Sequence, residues 1–303
     1  MCNALFSPLP REEYVEQLHF FTVLGEGLRK NSPAQDVLAS VREEVLATTK
    51  LPMAVDFLLA ELRHQGMFSL GMQRLTHYFT PFQCYVMREA ESDHGRFDLR
   101  IGLQILGREA QYRMDQAISR TGLFLYQFEA LCRNRLGYDD GLKAMAADPS
   151  YDLPWREWIL TVRRQIGIIE LADMIYVRSD FYHERSGKAR AAAPGPPIHP
   201  NQDRLEAESQ VLFDRQEGRI AWANRQKDPL LLFSALHRQL GYPQVPRTQQ
   251  AAPEERLLPV LARRVEQLEA RLKLVEEEQR GGIQLEQFYG ANREDDDARR
   301  GKA

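Results

Sequence analysis

The sequence predicts an all-α protein: a multi-helix bundle or array, followed by a linker, a small hairpin-plus-helix module and a C-terminal coiled coil. Three observations carry this. From about Arg11 to Glu184 the chain is punctuated by helix start and stop signals, with apolar residues spaced at three and four. No alternating β-branched run interrupts that stretch. Near the C-terminus, Leu258, Leu261, Val265, Leu268, Leu272 and Val275 step alternately by three and four, which keeps one seam on one side of a helix.

The elements follow in order. Tyr14, Leu18, Phe21, Gly25 and Leu28 mark a first helix that stops near Asn31. Ser32-Pro33-Ala34-Gln35 reads as a capping box with proline at the first helical position, opening a helix that turns Val37, Leu38, Val41 and Val45 inward. A third helix runs from about Pro52 to Gln65 and ends at Gly66, a suitable left-handed terminator. Thr80-Pro81-Phe82-Gln83 is a second capping box, for a helix through about Glu91. Phe97 to about Ser119 and Leu123 to Leu136 read as two more, the latter closed by Gly137. Asp152, with Pro154 just inside, starts a long helix expected to continue past Asp173 to Tyr176.

These signals delimit an all-helical domain over 10–185. The Gly/Pro/Ala-rich run that follows is read as a flexible linker over 186–206. In a small module over 207–242, Val211-Leu212-Phe213 and Ile220-Ala221-Trp222 flank the turn-like Arg215–Gly218 as a hairpin, and Asp228-Pro229 opens a helix closed by Gly241. A proline-containing linker spans 243–253, the coiled coil 254–280, and a charged, apolar-poor tail 281–303 reads as disordered. With Leu258 at heptad position a, Arg264 and Arg271 fall at g, and Glu269 and Glu276 at e. In a parallel dimer each such arginine lies beside a glutamate of the other chain, so a homodimer is expected.

Composition narrows the function classes. Hydrophobic residues make up 43% and charged residues 27% of 303 positions, a globular rather than a disordered profile. A net charge of −3, from 40 basic and 43 acidic residues, gives no footprint for nucleic acid or an anionic membrane, so neither is expected as a partner. Cys2, Cys84 and Cys132 are odd in number and far apart, which fits neither a disulfide framework nor a zinc knuckle. The N-terminus lacks the pattern of a signal peptide and no apolar run is long enough to span a bilayer. The cytoplasm is the expected location.

One constellation points to chemistry. Glu16 and His19 in the first helix, and Glu61 and His64 in the third, are Glu-x-x-His pairs, a spacing that places both side chains on one helix face. Ferritin-like di-iron proteins combine two such pairs with single glutamates from two other helices. Glu129 in LFLYQFEALC and Glu170 in IGIIELADMI would supply those, the cofactor being iron or another divalent transition metal. Against this, His64 falls opposite the Val55–Leu58–Leu59–Leu62 stripe. The favoured reading is therefore cofactor-free, with His64 at the surface and Glu129 and Glu170 paired to arginines such as Arg133 or Arg163. Tyr78, Phe79, Phe82 and Tyr85 cluster around the second capping box and read as core, with a ligand pocket as the alternative. No phosphate-cradling glycine loop or nucleophile elbow is present. The expected role is a non-catalytic scaffold or adaptor with a protein partner that the sequence does not name. A helical-bundle carboxylate metalloprotein stands as the alternative.

Overall fold

A computed structural model describes residues 9–92, 97–115, 118–192 and 210–247, with only the backbone of 188–192. The seam residues Leu258 to Val275, with most of the first linker, lie outside the described residues. Thirteen helices are present among the described residues, joined by two isolated β-bridges and no strand. None of these helices is long and apolar enough to cross a membrane.

Helix α1 (Arg11–Arg29) packs along α6 (Leu99–Arg113), burying Phe20, Phe21 and Leu24 with Leu103, Ile105 and Leu106. Helices α2 (Ala34–Glu44) and α3 (Leu51–Gln65) close one side, and the short α4 (Phe68–Arg74) leads into α5 (Pro81–Glu91). Helix α7 (Arg120–Asn134) is buried along most of its length, from Thr121 to Leu131. Helix α8 (Tyr138–Ala146) packs on α5 and on α9 (Leu153–Gln165). Helices α10 (Leu171–Val177) and α11 (Asp180–Ala192) then lead to the last described segment.

Several start signals operate as the sequence implies. Thr80 and Gln83 form the full capping box at α5. Asp152 accepts the Trp155 N–H at 3.2 Å, and Gly66 takes φ +74°. Two signals act differently. The Asn31 backbone turns left-handed at φ 58°, and the Ser32 N–H bonds to the Gly27 carbonyl at 3.0 Å. Ser32 thus closes α1 in a Schellman motif, leaving α2 to start at Ala34 without a side-chain cap. Likewise Arg135, not Gly137, is the left-handed residue that ends α7, at φ 55°. Helix α6 ends at Arg113, and Ser119 caps α7 by accepting the Gly122 N–H at 2.9 Å.

Helices α3 and α4 begin without a cap of their own, and carboxylates from elsewhere, buried Glu13 and half-buried Glu91, serve them. Glu13 accepts the Lys50 N–H at 2.9 and 3.2 Å, and Glu91 accepts the Phe68 and Ser69 N–H groups at 2.5 and 2.8 Å. Each places negative charge against the positive end of a helix dipole, an arrangement that contributes about 1 kcal/mol.

The expected long helix through Tyr176 is two helices. Gly167 adopts φ +86°, which breaks the run after Gln165, and Glu170 becomes the residue flanking the start of α10. The expected hairpin is also absent. Arg215–Gly218 is the first turn of α12 (Arg215–Ala223), and Glu217 reaches back to the Asp214 N–H at 2.9 Å. The predicted α13 (Pro229–Leu240) is found, capped by Asp228 and closed by Gly241 at φ +64°. Across the start of the predicted linker, α11 continues as helix to Ala192.

Residues 210–247 share the core of the helical body. Phe213 lies edge-on to Trp155 and Trp158, with centroids 5.2 and 4.9 Å away, and Phe233 sits 6.0 Å from Phe128. Leu232, Leu236, Tyr242 and Val245 join the same buried cluster. Burying each large apolar side chain contributes about 1.5–3 kcal/mol, so this segment is held by the core it completes.

Candidate functional site

The most concentrated polar chemistry in the interior lies where α6, α7 and the turn after α8 meet. Glu109 and Arg113 are one helical turn apart on α6, and their side chains are 0% and 1% exposed. Arg113 Nη2 donates to Glu109 Oε1 at 2.9 Å and also pairs with Asp148, itself fully buried. Arg113 Nη1 donates to the Ser150 hydroxyl at 2.8 Å, and the Ser150 N–H donates to Asp148 at 2.9 Å. From α7, Gln127 Nε2 donates to Glu109 at 2.7 Å, while its carbonyl oxygen accepts the Tyr151 hydroxyl at 2.8 Å.

Burial pushes the Glu109 carboxyl above its ordinary value; Arg113 opposes this and Asp148 adds to it. Burial alone would lower the pKa of Arg113, but Asp148 and Glu109 carry it well above the ordinary value, so the cation is fixed. Glu109 Oε2 and Arg113 Nε have no hydrogen-bond partner among the described residues. The cluster is closed to solvent and cannot meet a substrate. Its effect is to lock α6, α7 and the 148–151 turn together.

A cavity of about 550 Å³ opens beside this cluster. Tyr14 lines it, and Tyr14 also feels the charges of Arg113 and Asp148 behind it. Phe79 and Tyr85 form apolar wall, and the Tyr85 hydroxyl is engaged with the Gly137 carbonyl at 2.8 Å. The aromatic cluster around the capping box is therefore both core and wall: Phe82 is fully buried, whereas Tyr78, Phe79 and Tyr85 border the cavity. Cys84 also borders it, but burial pushes its thiol up to about 12, so it stays protonated and a poor nucleophile at neutral pH. The cavity has the size and apolar lining of a binding site.

The Glu-x-x-His residues are placed apart in separate structural roles. Glu16 is buried and accepts the Leu46 N–H at 3.2 Å. His19 is half-exposed with Nε2 3.2 Å from Glu44. Glu61 pairs with Arg74, and His64 is exposed at the end of α3. Glu129 pairs with Arg133 four residues on and accepts the Tyr242 hydroxyl at 2.8 Å, which ties α7 to the end of the last described segment. Glu170 is exposed, accepts the Gln226 N–H at 2.8 Å, and does not meet Arg163, whose guanidinium binds Asp139 at 2.7 and 2.8 Å. Among the described residues no group of three or more His, Cys, Asp or Glu is placed to hold a metal ion.

Sequence reasoning missed Glu109, Arg113 and Asp148. A signal for two of them was present: Arg113 lies seven residues after Leu106, two turns along the same apolar stripe, with Glu109 one turn before it. Comparison of the chain with protein-family models, with curated proteins and with solved structures gave no match.

Proposed function

We propose that this protein is a non-catalytic scaffold or adaptor whose helical body is presented by a C-terminal coiled coil. The observation that carries the reading is the seam Leu258, Leu261, Val265, Leu268, Leu272 and Val275, with Arg264 and Arg271 at g and Glu269 and Glu276 at e. Apolar spacing alone would fit any amphipathic helix; the matched e and g charges favour a second copy of this chain. The partners of Glu16, Glu61, Glu129 and Glu170, which tie segments of the fold together, weigh against the carboxylate-metal alternative rather than for any particular partner.

Three heptads are few, so the dimer should form with a Kd on the order of 1 µM. Light scattering of the full-length chain across that range should show a monomer–dimer transition. The pair Arg264→Glu and Arg271→Glu should shift it to higher concentration by setting like charges beside Glu269 and Glu276. A full-length chain that stays monomeric well above that range would overturn the proposal.

A further inference from the structure

We propose that the cavity bordered by Tyr14, Phe79 and Tyr85 is a binding site for a small anionic amphiphile, its apolar part inside and its carboxylate at the lip formed by α8. This goes beyond the adaptor reading and does not depend on it.

Three observations converge. The cavity, at about 550 Å³, falls within the range of small-molecule sites and is walled mainly by aromatic and aliphatic surface. Two polar groups on its wall are already committed: the Cys84 thiol is held protonated, and the Tyr85 hydroxyl is bonded to the Gly137 carbonyl. The charge at the lip then selects the ligand. Both acids of α8 are already compensated by arginines from other helices. Asp139 is held by two guanidinium nitrogens of Arg163, Nε and Nη2, and Asp140 accepts from Arg88 Nη2 at 3.1 Å. Lys143, one turn further along α8, is exposed, borders the cavity and makes no ion pair among the described residues. His77 is exposed on the facing side. Arg88 lies over the Tyr85 ring, its guanidinium carbon 5.4 Å from the centroid, with its charge shared between Asp140 and Glu89. Asp139, one turn before, also feels the Lys143 charge, but the charged residues that border the cavity are two cations, Arg88 and Lys143, against one anion, Asp140. An apolar chamber with that balance at its mouth fits a molecule with an apolar body and one carboxylate.

The test is isothermal titration calorimetry of the full-length protein with decanoate, decanol and decylamine, each below its micelle concentration, alongside thermal unfolding. Decanoate should bind saturably and raise the Tm, decanol should bind more weakly, and decylamine most weakly. Lys143→Glu, at an exposed position, should keep the Tm of the free protein and lower decanoate affinity about fivefold, the scale of one surface ion pair. Ala144→Trp, on the same lip, should fill the chamber and abolish binding of all three; should that variant fail to fold, Lys143→Glu decides alone. No saturable decanoate binding, equal affinity for decanoate and decylamine, or unchanged affinity in Lys143→Glu would each overturn the proposal.

Discussion

Replacing Arg113 with methionine should be among the most damaging single changes in this chain. Methionine fits the stem of the arginine but leaves Asp148 and Glu109 buried together without their cation. Asp148 would keep the Ser150 N–H at 2.9 Å and Gln127 Nε2 at 3.4 Å, neither of which carries charge. Breaking a buried ion pair from one side costs about 3–5 kcal/mol, because the remaining charge stays desolvated. Against a total stability of about 5–15 kcal/mol, that is a large fraction. Glu109→Gln tests the same cluster from the other side. The amide oxygen can still accept from Arg113 and Gln127, and the amide nitrogen takes the place of Oε2, which has no partner. Its cost should stay within about 1 kcal/mol.

Urea denaturation followed by circular dichroism measures both variants, and pH separates electrostatics from packing. The folded state raises the Glu109 pKa above the unfolded value of 4.5. Between that value and the raised one the folded state binds the extra proton, so wild-type stability falls as pH rises through the window. Glu109→Gln should flatten this part of the slope. A cost below about 1 kcal/mol for Arg113→Met, or equal costs for the two variants, would refute the argument that the cation holds this cluster together.

Other expectations follow from single contacts. Gly218→Ala would place a Cβ 2.2 Å from the Ser179 hydroxyl oxygen and 2.5 Å from its Cβ, so chemical denaturation should show a loss of about 1–3 kcal/mol; wild-type stability would show that α12 does not pack this closely. Tyr242→Phe removes the hydroxyl bonded to Glu129 and should cost about 1.5–3 kcal/mol in the same assay, as for other bonds to charged groups. Burial pushes Glu217 up to about 7, so Glu217→Gln should match wild type near pH 4 and become more stable than it between pH 5 and 8, by at most about 3 kcal/mol; a constant difference across that range would count against the shift.

Helices were legible where a local terminal signal stood clear of any competing turn signal. Thr80 with Gln83, Asp152 before Trp155 and Asp228 before Leu230 all satisfy amides within their own first turn, so nearby residues suffice to place them. The starts of α3 and α4 depend instead on Glu13 and Glu91, which lie 37 and 22–23 residues away in sequence, so no local pattern could reveal those bonds. The break at Gly167 and the first turn of α12 were misread because both sit beside apolar residues whose spacing fits more than one structure. At Asp214–Glu217 the reciprocal acid pair was a helix signal that the neighbouring glycine disguised as a turn.

The candidate site was harder to read because rarity is a poor guide to burial. Histidine drew attention to Glu16–His19 and Glu61–His64, yet His19 is half-exposed and His64 exposed. The charges that are fully buried, Glu109 and Arg113, form a Glu–Arg pair of a kind common on solvated helix faces. What distinguishes them is phase: Arg113 falls on the stripe of Leu106 and Ala110, where charge is costly unless something meets it. Asp148 is 35 residues further along, in a turn with no periodicity, and only the fold brings it there. The cavity depends on the same step, since its aromatic wall comes from around α5 while its charged lip comes from α8. The sequence could therefore reveal one buried half of this constellation, but the counter-charge and the opening beside it exist only once α1, α5, α6 and α8 are packed.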